Sequence, residues 1–335
     1  ANSLNLDHVI DVLKQDLAGG RLTPESMSKV SMEQAIRRTQ EYDIDMAKKM
    51  RETAIKSQEG FPVHKEYPEG YKWIELTKPE LKELPEGYRI ERTSQNLPYL
   101  VDPEGVNVGY FEEGKEMSGA LNRLSEDRLK EALEYEGNTM GHCVGGYCPD
   151  VASGKSRIYS LRDVRGEPHV TVEVQPDQSL LGFKYAKETH PELWAKYTAD
   201  RNKYFNSWPE FLQQEAPELI NNLPQRIVQI KGKQNVAPKE QYLPYVQDFV
   251  RGGQWSDVGD LRNTGLIQAG NKYATEQELK ALASRYYPKY PDMTPSDVAR
   301  HYKVIKESPD YQSEIDKKFI EDFEAGNFKI GRAHV

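Results

Sequence analysis

Residues 141–175 read GHCVGGYCPDVASGKSRIYSLRDVRGEPHVTVEVQ. Glycines crowd the start of this stretch, and glycine is favoured where a backbone turns sharply or approaches another segment closely. Two β-prone runs follow at 157–162 and 169–175. In the second run, Val170, Val172 and Val174 alternate with more polar residues. This alternation predicts a strand with one apolar face, and it predicts that His169 and Glu173 share the opposite face.

Helical patterns surround these strands. We expect a helix over Ser125–Glu136, before the glycine motif, and a short helix over Val144–Ala152, after it. Further strands fit at 179–184 and 226–231, and between them residues 186–222 form a helical insertion that packs through its own aromatic side chains. The pattern predicts an α+β fold in which a helix pair packs on a small mixed or antiparallel sheet of three or four strands.

The N-terminal flank has the spacing of amphipathic helices. Thr23-Pro24 has the form of an N-cap followed by proline at the first helical position, and Ser31-x-x-Gln34 is a capping box for a long helix to about Lys56. The apolar spacing in the first helix predicts one buried face, comprising Leu6, Ile10, Leu13 and Leu17. The corresponding face predicted for the long helix comprises Met32, Ala35, Thr39, Tyr42, Met46 and Met50.

The two remaining regions have different patterns. Six prolines divide residues 60–118 into short β-prone runs, which predicts a small antiparallel meander. The last region is helical in pattern, with a capping box at Thr275-x-x-Glu278 and helix starts at Thr294-Pro295 and Ser308-Pro309. We therefore expect four segments, namely 1–58, 60–118, a core at 120–252 and a helical segment at 253–335.

The composition narrows the class of protein. Two cysteines in 335 residues are typical of a reducing compartment and unlike a disulfide scaffold. Cys143 and Cys148 alone are too few ligands for structural zinc, so we expect no metal and no cofactor. The sequence contains neither a signal-peptide pattern nor an apolar run long enough to span a bilayer, which predicts a soluble protein without a membrane partner. The net charge of −8 disfavours broad nucleic-acid binding, with a local exception in the basic segment 226–239.

His142-Cys143-Val144-Gly145-Gly146-Tyr147 resembles the signature of the PcfJ-like family, which is found in conjugative plasmids and bacteriophages. The resemblance covers roughly residues 125–250 and continues, in the family's order, through the blocks RIYSLR at 157–162, TVEV at 171–174 and QIKGKQN at 229–235. Residues 65–71 are similar to segments beside this domain in large phage-encoded proteins. The resemblance implies a mobile-element origin, either in the cytoplasm of an infected or plasmid-bearing bacterium or in a virion. It assigns no settled activity.

A first hypothesis makes Cys143 a nucleophile. At the N-terminus of the expected helix, the helix dipole and free N–H groups would stabilise its thiolate. His169 is the candidate base, and Gln229 and Asn235 are candidates to orient that imidazole. Tyr147, which ends the motif, is a further candidate binding residue. The alternative is a small buried cysteine that packs a tight turn.

A second hypothesis makes His142 a general acid or base for metal-independent RNA cleavage. The cations that would hold the phosphate are Arg157, Arg162, Lys231 and Lys233. In the alternative, His142 holds the glycine turn by hydrogen bonds to the backbone. Glu173 is either a functional acid or the partner of Arg162 in a buried ion pair.

These hypotheses leave open whether the protein is an enzyme. The first interpretation is a phage or mobile-element accessory protein with a Cys143-dependent hydrolase or transferase activity on an unidentified substrate. The second is a nucleic-acid-binding or RNA-cleaving module, and the third is a non-catalytic virion or scaffold component with phage or host protein partners. Since the chain starts at Ala1, it can be a piece of a longer protein.

Overall fold

The computed structural model describes residues 6–141, 146, 148–177, 188, 190–199, 208–221 and 223–328. The chain divides into two compact units, the first comprising residues 1–60 and 164–167 and the second residues 61–163 and 168–335. Helices occur together with one mixed sheet and two small antiparallel sheets, which confirms the α+β class. Among the described residues, no helix combines the length and the apolar character needed to cross a membrane.

The first unit contains three helices, and two of them begin where the sequence predicts. Their bounds are Leu6–Ala18 for α1, Pro24–Met27 for α2 and Met32–Lys56 for α3. The side chains of Thr23 and Ser31 each accept a hydrogen bond from the backbone N–H three residues later, and the backbone N–H of each donates in return to that residue's side chain. The capping boxes therefore fix where α2 and α3 start.

The apolar faces predicted for this unit are only partly buried. In α1, Val9, Val12 and Asp16 are buried, whereas Leu6 and Ile10 are 52% and 40% exposed. Polar contacts explain which face of α1 is buried. The Asp16 carboxylate accepts hydrogen bonds from Arg21 and Arg38, and these bonds hold the face of Asp16 inward. In α3, Ala35 and Thr39 are buried as predicted, but the three methionines at 32, 46 and 50 are exposed.

The core of the second unit is a six-stranded mixed sheet with the order β1-β2-β6-β7-β8-β9. Adjacent strands are antiparallel except β8 and β9, which are parallel. The strands are Val63–Glu66 (β1), Lys72–Leu76 (β2), Arg157–Arg162 (β6), Pro168–Pro176 (β7), Gln225–Gly232 (β8) and Trp255–Val258 (β9).

This sheet corrects the predicted segments. β1 and β2 come from the region expected to be a separate meander, and β9 comes from the region expected to be helical. The boundaries near residues 119 and 252 therefore fall inside one hydrogen-bonded sheet, and the three or four strands expected become six. The strand expected at 179–184 lies outside the described residues.

A separate three-stranded antiparallel sheet follows β2. Its strands are Arg89–Arg92 (β3), Pro98–Val101 (β4) and Asn107–Tyr110 (β5). It packs through Leu100 on Ala120 and Leu124 of the next helix, α4, which spans Glu116–Met140. Ser125, the expected start of this helix, lies inside it and donates its hydroxyl to the Leu121 carbonyl. A further short helix, α5, spans Cys148–Ala152.

Helices cover both faces of the main sheet. On one face, Leu129 and Leu133 of α4 pack in one apolar cluster with residues of β2 and β6. On the other face, the valines of β7 pack in a second cluster with the helix that follows β8 and precedes β9. The burial of Val170, Val172 and Val174 confirms the predicted strand. The sheet thus has two buried faces, and any polar side chain on it needs a partner.

The described parts of the insertion and of the C-terminal region complete the second unit. The remaining helices are Pro191–Ala199 (α6), Trp208–Glu215 (α7), Pro217–Asn221 (α8), Leu243–Gly252 (α9), Glu276–Tyr286 (α10), Pro295–Glu307 (α11) and Glu314–Glu324 (α12). The insertion packs through Tyr197, Trp208 and Phe211, as expected. An unexpected hairpin of β10 (Leu266–Ala269) and β11 (Lys272–Thr275) precedes the C-terminal helices, and Ser308-Pro309 begins only a single turn.

Candidate functional site

A buried polar network occupies the face of the main sheet that α4 covers. Glu136 of α4 accepts hydrogen bonds from Ser160 and Arg162 of β6, each at 2.8 Å, and from the Thr171 hydroxyl of β7. Glu136, Ser160 and Arg162 are completely buried. One carboxylate therefore joins a helix to two strands in the interior of the unit.

Arg162 is the cation of this network. Its Nη2 lies 2.8 Å from Glu136 Oε2, its Nε donates to Ser160 Oγ at 2.7 Å, and its guanidinium lies 5.3 Å from the centre of the Tyr135 ring. The predicted ion pair between Arg162 and Glu173 is thus wrong, because Glu136 supplies the carboxylate. A fully buried guanidinium needs such a partner, since an uncompensated charge in this position would cost several kcal/mol.

Glu173 lies on the same face of β7 in a second network, in which its partners are uncharged side chains. Its carboxylate accepts hydrogen bonds from Ser156 at 2.9 Å, Gln229 at 2.7 Å and Gln175 at 2.8 Å. Gln229 was expected to orient an imidazole; instead, its amide donates to this carboxylate. Glu173 and Gln229 therefore act together in joining β7 to β8.

The glycine motif begins where α4 ends. Gly141 has a left-handed backbone, with φ 69° and ψ 40°, and its N–H donates to the Gly137 carbonyl. This is the usual way for a helix to end, because glycine adopts that conformation without a steric penalty. His142, Cys143, Val144, Gly145 and Tyr147 lie outside the described residues, so the hypotheses about these side chains remain predictions.

A strained turn after β8 lies beside Gly141. Gln234 and Asn235 both have left-handed backbones, with φ 60° and 59°. A Cβ atom on Gly141 would lie 3.5 Å from Gln234 Cα. Two consecutive non-glycine residues in this conformation are unusual, and such strain is frequent at functional sites. Gly141, at the start of the glycine motif, and Gln234, near the end of the block QIKGKQN, are therefore neighbours in three dimensions.

The basic residues proposed to hold a phosphate are largely engaged by carboxylates. Lys231 Nζ lies 2.8 Å from Asp260 Oδ2, and Arg157 Nε lies 4.0 Å from Glu75 Oε1. Arg162 is paired with Glu136, as described above. In the segment 226–239, Arg226 and Lys239 make no ion pair with any residue that the structure describes.

His169 lies on the opposite face of the sheet. The register of β6 and β7 shifts after Leu161, which pairs with Val170, so that Arg162 pairs with Pro168. This bulge turns His169 to the face of Val170, where it stacks on the Tyr242 ring at 4.7 Å and lies 3.3 Å from Asp163 Oδ2. The Tyr242 hydroxyl lies 3.0 Å from His169 Nδ1. The prediction that His169 and Glu173 share a face is wrong.

Sequence reasoning missed Glu136, Tyr242 and Asp163. Glu136 had a visible signal, because it continues the stripe of Leu129, Leu133 and Met140 on the buried side of α4. An acid in an apolar stripe indicates a buried partner. Tyr242 and Asp163 had no local signal, since their contacts with His169 depend on the bulge.

Among the residues that the structure describes, no group of three His, Cys, Asp or Glu side chains is placed to hold a metal ion. The two features that the described residues show near the glycine motif are a buried carboxylate–guanidinium pair and the strained turn after β8. No family model, curated protein or solved structure matches this chain.

Proposed function

We propose that the protein is a phage or mobile-element accessory protein whose glycine-framed segment acts on a substrate, with Cys143 as the nucleophile of a hydrolase or transferase. The observation that carries the proposal is the strained turn at Gln234–Asn235 against Gly141, five residues after the buried Glu136. Both features lie near Gly141, the residue immediately before His142.

Both features have a free-energy cost. A left-handed backbone at a residue such as Gln234 costs about 1–2 kcal/mol, whereas asparagine adopts this conformation more readily. A buried ion pair is often no more stabilising than well-packed apolar residues of similar volume. Their occurrence together supports a role for this end of the sheet in holding the His142–Cys143 segment in one defined conformation.

The charge distribution favours thiol chemistry over RNA cleavage. Carboxylates engage Arg157, Arg162 and Lys231, which reduces their capacity to bind a phosphate. In the proposed reaction, the Cys143 thiol loses its proton, and the thiolate forms a C–S bond to an electrophilic carbon while the bond to the leaving group breaks and the leaving group takes up that proton. Water or a second nucleophile then attacks the same carbon, which breaks the C–S bond, and the proton that this nucleophile loses restores the thiol.

His169 is not included as the base in this proposal. Its ring is held by Tyr242 and Asp163 on the face of the sheet opposite to Glu136 and Glu173. We therefore expect His169→Ala to leave the pH dependence of Cys143 alkylation unchanged.

Brief alkylation of the full chain with iodoacetamide at neutral pH, read by mass spectrometry, tests the nucleophile. We expect Cys143 to react at least about tenfold faster than Cys148, because a functional thiol is exposed and has a lowered pKa. Cys148→Ser should keep the fast phase, and Cys143→Ser should abolish it.

Equal, slow labelling of the two cysteines would contradict the proposal and favour a buried packing cysteine. In that case, salt-dependent RNA binding would favour the nucleic-acid alternative, because phosphate contacts weaken as salt rises. Slow labelling without RNA binding would favour a non-catalytic virion or scaffold component.

A further inference from the structure

We draw no further inference here: the strongest candidate, the cavity of about 540 Å³ between α9 and the first turn of α10, rests on a helix N-terminus, and none of the described side chains that line it, Gln247, Thr275, Glu276, Gln277 and Lys280, is a buried polar group without a partner.

Discussion

At the scale of single residues, the carboxylate of Glu136 decides how α4 sits on the sheet. It accepts hydrogen bonds from three side chains on two strands and is completely buried. A charge in this environment is tolerated because Arg162 compensates it and because hydroxyl groups of Ser160 and Thr171 satisfy its remaining lone pairs. The members of the network therefore contribute to stability cooperatively.

Replacing Glu136 with Gln should lower the free energy of unfolding by about 3–5 kcal/mol, because it leaves the Arg162 charge buried without a counter-ion. Urea unfolding at neutral pH measures the change. The matched control is Glu134→Gln on the exposed side of the same helix, which should cost no more than about 0.5 kcal/mol. A loss of similar size in both variants would show that Glu136 is not the anchor of this network.

At the scale of elements, α12 is joined to its neighbours by a carboxylate at its first turn. Asp316 completes the capping box of Ser313 and also accepts hydrogen bonds from Tyr287 at 2.8 Å and from His301 at 3.3 Å. Burial alone would raise the pKa of Asp316, but the hydrogen bonds from Ser313, Tyr287 and His301 outweigh it and hold the pKa at about 2. The same residue thus starts α12 and joins it to α10 and α11.

The lowered pKa has a consequence for the pH dependence of stability. The folded state binds the Asp316 proton less tightly than the unfolded state does, so its contribution is complete above about pH 5 and is lost as the pH falls towards 2. We expect Asp316→Asn to cost about 1 kcal/mol at neutral pH, a value reduced for solvent screening, and progressively less in acid.

Urea unfolding of wild type and Asp316→Asn across this pH range measures the difference. Asp310→Asn, at an exposed aspartate just before α12, is the control for the removal of a surface carboxylate. A constant difference between wild type and Asp316→Asn at every pH would rule out titration of Asp316 as its origin.

At the scale of the whole second unit, the main sheet gathers strands from distant parts of the chain. β2 pairs with β6 along five residues from Lys72 to Leu76, and β8 pairs with β9 from the C-terminal region. The strands of the segment 120–252, β6 to β8, are thus all interior strands, because β2 lies beside β6 and β9 lies beside β8. The apolar faces of β6 and β8 need β2 and β9 beside them to form complete clusters.

The segment 120–252 alone should therefore fail to melt cooperatively, because it lacks β2 and β9. Residues 61–335 should give a cooperative thermal transition, since they contain every strand of the sheet and both helices that cover it. Circular dichroism on the two purified fragments compares them. A cooperative transition in the shorter fragment would contradict this assignment of the sheet.

Local patterns in the sequence predict much of the secondary structure of both units. The alternation in β7 and the run in β8 depend on side chains that project to one face every second residue, so they are visible within a few positions. The caps of α3, α10 and α11 depend on a hydrogen bond across three residues. The site was only partly predictable, because its carboxylate was assigned to Glu173 instead of Glu136.

The sequence by itself determined the α+β class, the helix starts and the apolar face of β7, because each depends on neighbours in the chain. Only the tertiary structure decided that Arg162 pairs with Glu136, that a bulge turns His169 to the face of Tyr242, and that Asp16 rather than Leu6 faces inward in α1. These outcomes depend on residues 22 to 73 positions apart. Such contacts compete for partners in three dimensions, and a local periodicity carries no information about which partner is nearest.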